Sequence, residues 1–206
     1  MLLMAVVGSG IMAERLAGGN VAIALLANTI ATGAALFALI AAFAPVSGAH
    51  FNPVVSFSAA MSGESSWKDG AFYTAIQIAG AVLGVAVANL MFDLPVLFAS
   101  TRVRTGFGQW LGEFVATFGL VAVIIAVSRQ HKTTTVAFAV AAYITAAYWF
   151  TSSTSFANPA VTIARSMSDT FAGIRPADAP AFIAAQILGA GAATLLFKWL
   201  CQNRER

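Results

Sequence analysis

The chain has 206 residues, of which 59% are hydrophobic and only 9% charged, with a mean hydropathy of +0.83. Soluble domains carry roughly 25% charged residues, so a water-covered globule is excluded. The net charge of +3 comes from basic residues scattered singly in loops and at the C-terminus, which excludes the concentrated basic surface of a nucleic-acid binder.

In chain order, Met1–Gly10 is an apolar stub and Val21–Pro45 reads as a full span. A short apolar segment runs from Pro53 to about Met61, then Ala71–Met91 reads as a second span. Asp93–Gly106 is a loop with Pro95, Arg102 and Arg104. Gly108–Ser128 and Thr135–Thr154 form two more spans around the polar turn Arg129, Gln130, His131, Lys132. Pro159–Met167 is a second short segment, and Ala181–Cys201 a last span before the tail ending Arg204, Glu205, Arg206. A helix needs ~20 apolar residues to cross a ~30 Å hydrocarbon core, which the long segments supply and the short ones do not. Small residues stud every span, as close helix packing in lipid requires. The pattern predicts an all-α, multi-pass membrane protein of one domain, 1–206, with the lipid bilayer as its surroundings.

The halves repeat. Asn52-Pro53-Val54-Val55-Ser56-Phe57 recurs as Asn158-Pro159-Ala160-Val161-Thr162-Ile163, and Gln77-Ile78-Ala79-Gly80-Ala81 as Gln186-Ile187-Leu188-Gly189-Ala190. The offsets, 106 and 109, differ only by a short loop insertion. With an odd number of spans per repeat (1–92 and 107–201), the second half enters the membrane inverted, placing the functional site near the midplane.

Each Asn-Pro opens a segment too short to span. Proline suits the first helical position because its missing N–H would be unsatisfied there, and Asn is a favoured N-cap. Polar backbone at membrane depth is tolerated only inside protein or along a water-filled cavity. Each segment is therefore predicted to be a re-entrant half-helix with its N-terminus at the midplane. The converging dipoles, each roughly half a positive charge, oppose cations, while the Asn52 and Asn158 amides can donate to a passing oxygen.

Ser47-Gly48-Ala49-His50-Phe51-Asn52-Pro53-Val54 and Phe156-Ala157-Asn158-Pro159-Ala160, with the Gln-x-x-Gly-Ala pair and Glu113-Phe114, resemble the major intrinsic protein family of aquaporins and aquaglyceroporins across nearly the whole chain. The resemblance implies an aquaporin-like fold of six spans plus two half-helices, a homotetramer with one pore per subunit, both termini cytoplasmic, and a place in the cell membrane, in a bacterium the inner one. It implies a passive channel for small uncharged solutes and water, with no enzymatic activity. The pore boxes are then Asn52, Pro53, Val54 and Asn158, Pro159, Ala160, the first departing from the usual form at Val54. Arg104-Thr105-Gly106 and Gly108-Gln109-Trp110 resemble bacterial members associated with arsenic resistance.

The family's selectivity filter maps by spacing onto Thr32, Ala146, Ser155 and Val161. None is aromatic or charged, so the expectation is a wide, arginine-less constriction suited to glycerol, urea or neutral arsenous acid. Outside that register, Thr32 and Ala146 read as ordinary packing residues. Glu113 inside a span is costly and functional by default; the resemblance has it bracing the second box loop, against a proton-relay alternative. His50 either lines the pore or makes a structural bond. Arg165, one turn past Val161, either charges the vestibule, pairs with Asp169 or faces headgroups.

If Ser9 corresponds to Ser128, the carboxylate matching Glu113 falls before Met1. Ten apolar residues cannot cross ~30 Å, so the first span is expected to be truncated. A water-selective channel and a secondary transporter remain as rivals, the latter weakened by Glu113 being the single embedded carboxylate. Cys201 is the single cysteine, and His50 and His131 are the histidines, which leaves no disulfide framework, nucleophile–base pair or metal cluster. No cofactor is implied.

Overall fold

A computed structural model describes residues 1–129 and 132–202. Gln130 and His131 of the polar turn, and the charged tail with Arg204, Glu205 and Arg206, lie outside the described residues.

The described chain is helical: α1 (Leu2–Leu16), α2 (Val21–Ser47), α3 (Pro53–Ser62), α4 (Trp67–Met91), α5 (Phe107–Ser128), α6 (Thr133–Phe150), α7 (Pro159–Arg165) and α8 (Ala179–Gln202), with a short 3₁₀ turn at Pro176–Asp178. The first helix continues past Gly10 to Leu16, beyond the apolar stub. Its 15 residues make a rod of roughly 22 Å at 1.5 Å per residue.

Local chemistry sets the helix ends. Asn20 caps α2 by accepting from the Ile23 N–H at 3.2 Å, and Gly48 closes it in the left-handed conformation. Pro45 falls in the last turn of α2, where the helix is about to end. Ser66 accepts from the Asp69 N–H at 3.0 Å to open α4, and returns its own hydroxyl proton to the Asp69 carboxylate at 2.6 Å. Ser66 is thus an N-cap of the preferred type, with its hydroxyl oriented by the Asp69 carboxylate.

Among the described residues, five helices are long and apolar enough to cross a membrane. Their apolar surface is not used up inside the protein. In α4 only 28% of the most hydrophobic window is buried although its mean hydropathy is 1.8. Phe72, Ile76, Leu83 and Leu90 point outward along it. Such a surface is stable against lipid or against another apolar protein surface.

The packing obeys the inverted repeat. Exchanging α1–α4 with α5–α8 turns the α1–α4 contact into α5–α8, α1–α2 into α5–α6, and α3–α4 into α7–α8. It also exchanges the cross-half contacts α4–α7 and α3–α8, while α2–α6 and α3–α7 map onto themselves and lie on the pseudo-twofold axis. Each short helix is thus held between the last helix of its own half and the last helix of the other.

Small residues let the backbones approach. A Cβ on Gly189 of α8 would lie 2.5 Å from the Phe114 carbonyl oxygen and 3.1 Å from the Phe118 nitrogen of α5. Neither backbone atom can move aside. Gly189→Ala is expected to weaken the fold by roughly 1–3 kcal/mol, the usual cost of overpacking. A thermal unfolding midpoint in detergent equal to wild type would contradict this.

Candidate pore and its constriction

The Asn-Pro boxes come together at the centre of the molecule and hold each other. Asn52 Nδ2 donates to the Ala157 carbonyl at 2.7 Å, and Asn158 Nδ2 donates to the Phe51 carbonyl at 2.8 Å. The Asn52 side-chain oxygen accepts from the Val54 N–H, and the Asn158 oxygen from the Ala160 and Val161 N–H groups. Each Asn is therefore an extended N-cap with Pro at the first helical position. An amide nitrogen carries two protons, and here one is spent on the opposite loop, leaving the other for the lumen.

The loops before the boxes share an unusual backbone. Gly48, Ala49 and Phe51 are left-handed, as are Thr154, Ser155 and Ala157, each 106 positions later. Non-glycine residues pay for that conformation and keep it only when their surroundings enforce it. In the second loop the enforcement is Glu113, fully buried in α5. Its Oε1 accepts from the Phe156 N–H and its Oε2 from the Ala157 N–H, both at 2.8 Å. Gln186 of α8 donates to the same carboxylate at 2.6 Å and to Thr162 Oγ1 at 2.9 Å. In the first half, Gln77 donates to Ser56 Oγ at 3.1 Å, and His50 Nδ1 lies 3.0 Å from that hydroxyl. His50 also packs edge-on to Tyr73 and lines the cavity.

A cavity of about 370 Å³ runs past the paired boxes. Asn52 and Asn158 lie in its wall, with Leu36, Ile40, Val140 and Ile144 from α2 and α6. Glu64, Ser128 and Thr133 line one mouth; Thr32, Tyr148, Ser155, Val161 and Arg165 line the other. Pro53, Val54, Pro159 and Ala160 are buried behind it.

The mapped filter needs correction at one position. Ala146 is exposed on the outer side of α6 and takes no part in the wall. Tyr148 faces the cavity instead, its hydroxyl 3.4 Å from Thr32 Oγ1. The phase of α6 is set by Gly33 of α2, where a Cβ would sit 2.2 Å from Thr145 Oγ1. With Thr145 held against α2, Ile144 and Tyr148 turn inward. An aromatic ring thus lines the cavity beside Thr32.

Arg165 does not pair with Asp169. It is 2% exposed, stacks on the Phe156 ring with its guanidinium carbon 3.4 Å from the centroid, and donates from Nε to the Ala172 carbonyl. Arg104 packs against the same ring at 5.1 Å and donates to the Gly173 carbonyl at 2.8 Å. Sequence reasoning missed the roles of Tyr148, Phe156 and Arg104. The spacing of Val140, Ile144 and Tyr148 was the available signal, masked because α6 is apolar all round.

Asp169 instead ties down the loop between α4 and α5, accepting from the Thr101 N–H at 2.8 Å and from its hydroxyl at 3.0 Å. The Phe98 and Ser100 N–H groups bond the Met167 and Ser166 carbonyls nearby.

These features define a class: a helical membrane channel with an inverted repeat and re-entrant half-helices. The chain matches the family model described as Major intrinsic protein over residues 1–135 and 128–206, and it belongs to that family of non-enzymatic channels. It is 57% identical to aquaglyceroporin AqpS of Rhizobium meliloti (strain 1021), over 98% of this chain and 86% of that protein. It is 32% identical to the probable aquaporin TIP2-2 of Oryza sativa subsp. japonica, over 61% of this chain and 52% of that one. The X-ray structure of the aquaglyceroporin from Plasmodium falciparum shares the fold with a TM-score of 0.67 at 18% identity, covering 95% and 90% of the two chains.

Two tests arise from these anchors. Glu113→Gln leaves an amide facing the Phe156 and Ala157 N–H groups, with one good acceptor where there were two. Hydrogen bonds to charged groups contribute about 1.5–3 kcal/mol each, so destabilisation of that order is expected, together with reduced water permeability per pore; a variant matching wild type in both measurements would refute the bracing role. For Asp169, the Thr101 backbone N–H holds the carboxyl below its usual range. Its contribution is therefore complete above the ordinary Asp pKa of about 3.9 and is lost only as pH falls through the lower folded value. Protease protection of the 93–106 loop should persist to about that ordinary pKa and fail at lower pH. Asp169→Asn should lack this acid step.

Proposed function

We propose that the chain is an aquaglyceroporin-type channel passing small neutral solutes: glycerol, neutral arsenous acid, urea and water. The observation that carries the reading is the residue at the third position after the second box Asn. It is Val161, buried in the cavity wall, so no guanidinium fills the constriction at that point. The 57% identical Rhizobium meliloti relative is named an aquaglyceroporin, which supports the same reading.

The wall there is two-sided. Tyr148, Ile144 and Val161 offer apolar surface, while Thr32, Ser155 and the carbonyls of the left-handed loop offer polar atoms. A polyol has a carbon face and a hydroxyl face, and it can lay each against its match. A hydroxyl entering without replacement of its water bonds loses roughly 1–3 kcal/mol, which the polar side offsets. Cations meet the half-helix dipoles and a charge-desolvation barrier. A homotetramer with one pore per subunit fits the apolar outer surface of the helices.

A water-selective channel is the rival favoured by the Tyr148–Thr32 contact, which narrows the slot. A proton-coupled transporter is disfavoured because both Glu113 oxygens are occupied by backbone N–H groups.

Stopped-flow swelling of proteoliposomes under water, glycerol, urea and arsenous acid gradients separates these readings. Wild type is expected to conduct all four without saturation. Val161→Arg should cut glycerol and arsenous acid flux about tenfold or more, as one or two lost matched contacts predict, with a smaller effect on water. Tyr148→Ala should raise glycerol flux, whereas Ala146→His, pointing outward, should leave it near wild type. Water conduction with glycerol and arsenous acid excluded would establish the water-selective reading instead.

A further inference from the structure

Arg165 ends α7 one turn beyond Val161, in the wall of the cavity. Its plane is fixed by stacking on Phe156 and by the bond from Nε to Ala172. Phe156 is itself held edge-on to Phe182 at 5.3 Å and pinned through its N–H by Glu113. Yet Arg165 Nη1 is buried without a hydrogen-bond partner, and Ser155 Oγ in the same wall is also buried and unpartnered. Buried donors are nearly always satisfied, and a guanidinium cannot escape by losing its proton. The neighbouring ion pairs do not serve it: Arg102 pairs with Glu14 and Arg175 with Asp178.

We propose that Arg165 Nη1 and Ser155 Oγ form a subsite for a hydroxyl group of a neutral solute, making Arg165 a specificity-determining residue at this mouth. The inference rests on the aquaglyceroporin-type reading and adds to it where the selection is made. The guanidinium donates to the solute oxygen, and the solute O–H donates to Ser155 Oγ. A methyl in place of that hydroxyl can do neither. The cation stands one helical turn outside the narrow point, flat against Phe156, so it sorts solutes without occupying the space that Val161 leaves open.

The test is the ratio of glycerol to 1,2-propanediol permeability in proteoliposomes, corrected for protein-free vesicles. The two solutes are close in size and differ by one hydroxyl. Wild type is expected to favour glycerol. Arg165→Met should lower the ratio about fivefold, and Arg165→Lys, which keeps a donor without the planar fork, about twofold. Water flux in the same vesicles verifies that the pore is assembled. If Arg165→Met yields no water-conducting protein, Ser155→Ala supplies the test, with a fall of about twofold. An unchanged ratio in either water-conducting variant overturns this inference alone, as does a wild type that passes both solutes without preference. A wild type that passes water but neither solute overturns the aquaglyceroporin-type reading and this inference with it.

Discussion

Backbone amides at the centre of a membrane have no bulk water to bond, and an unsatisfied one costs several kcal/mol. The second box loop faces that penalty in an acute form, because its left-handed residues cannot join a helix. Glu113 answers it by taking the Phe156 and Ala157 N–H groups on its two oxygens. The buried carboxylate is in turn stabilised by those donors and by Gln186. With this loop fixed, Asn158 can cap α7 and reach across to the Phe51 carbonyl. Asn52 returns the bond to the carbonyl of Ala157, which Glu113 anchors through its N–H. The central pore geometry therefore hangs on a chain of hydrogen bonds that begins at one acidic side chain.

The helices around this centre divide the labour. α4 and α8 do not line the main cavity; they clamp the half-helices from behind, each touching both. α2, α5 and α6 line the wall chiefly through aliphatic side chains, and the box loops and half-helices supply much of the rest. Polar atoms are confined to the mouths and to a strip of loop backbone and amides past the boxes. A solute crossing such a lumen keeps hydrogen bonds along one side while the other repels charge and bulk water. The solute-facing strip is rigid because the residues that form it are anchored elsewhere.

The mouth beyond Val161 is built differently. Two arginines, Arg104 and Arg165, pack on one phenyl ring, and both spend donors on backbone carbonyls rather than on carboxylates. The loop that carries Arg104 is in turn stitched to the chain after α7 by Asp169 and by Arg175 N–H to the Arg102 carbonyl. Positive charge is therefore fixed in place at this mouth and is shared by the connection between the two halves and by α7.

The architecture was legible in the sequence because its cause is local and repeated. Charge-free runs of spanning length, short Asn-Pro segments and matching Gln-x-x-Gly-Ala motifs follow from lipid solubility and helix capping, which act through neighbours in the chain. The box asparagines and Glu113 could be singled out on the same grounds. What the sequence could not determine was rotation. α6 is apolar on every side, so nothing in its own residues distinguishes lipid from lumen, and spacing from Asn158 pointed to Ala146. The close approach of Gly33 to Thr145 decides the phase and brings Tyr148 inward. Arg165 shows the same limit: helical spacing offered Asp169 as a partner, but the Thr101 N–H and hydroxyl take that carboxylate, leaving the guanidinium to Phe156 and Ala172. Segment, repeat and cap are properties of the chain read along its length. The face each helix turns to the pore, and the partner each buried charge accepts, were decided only when distant segments packed.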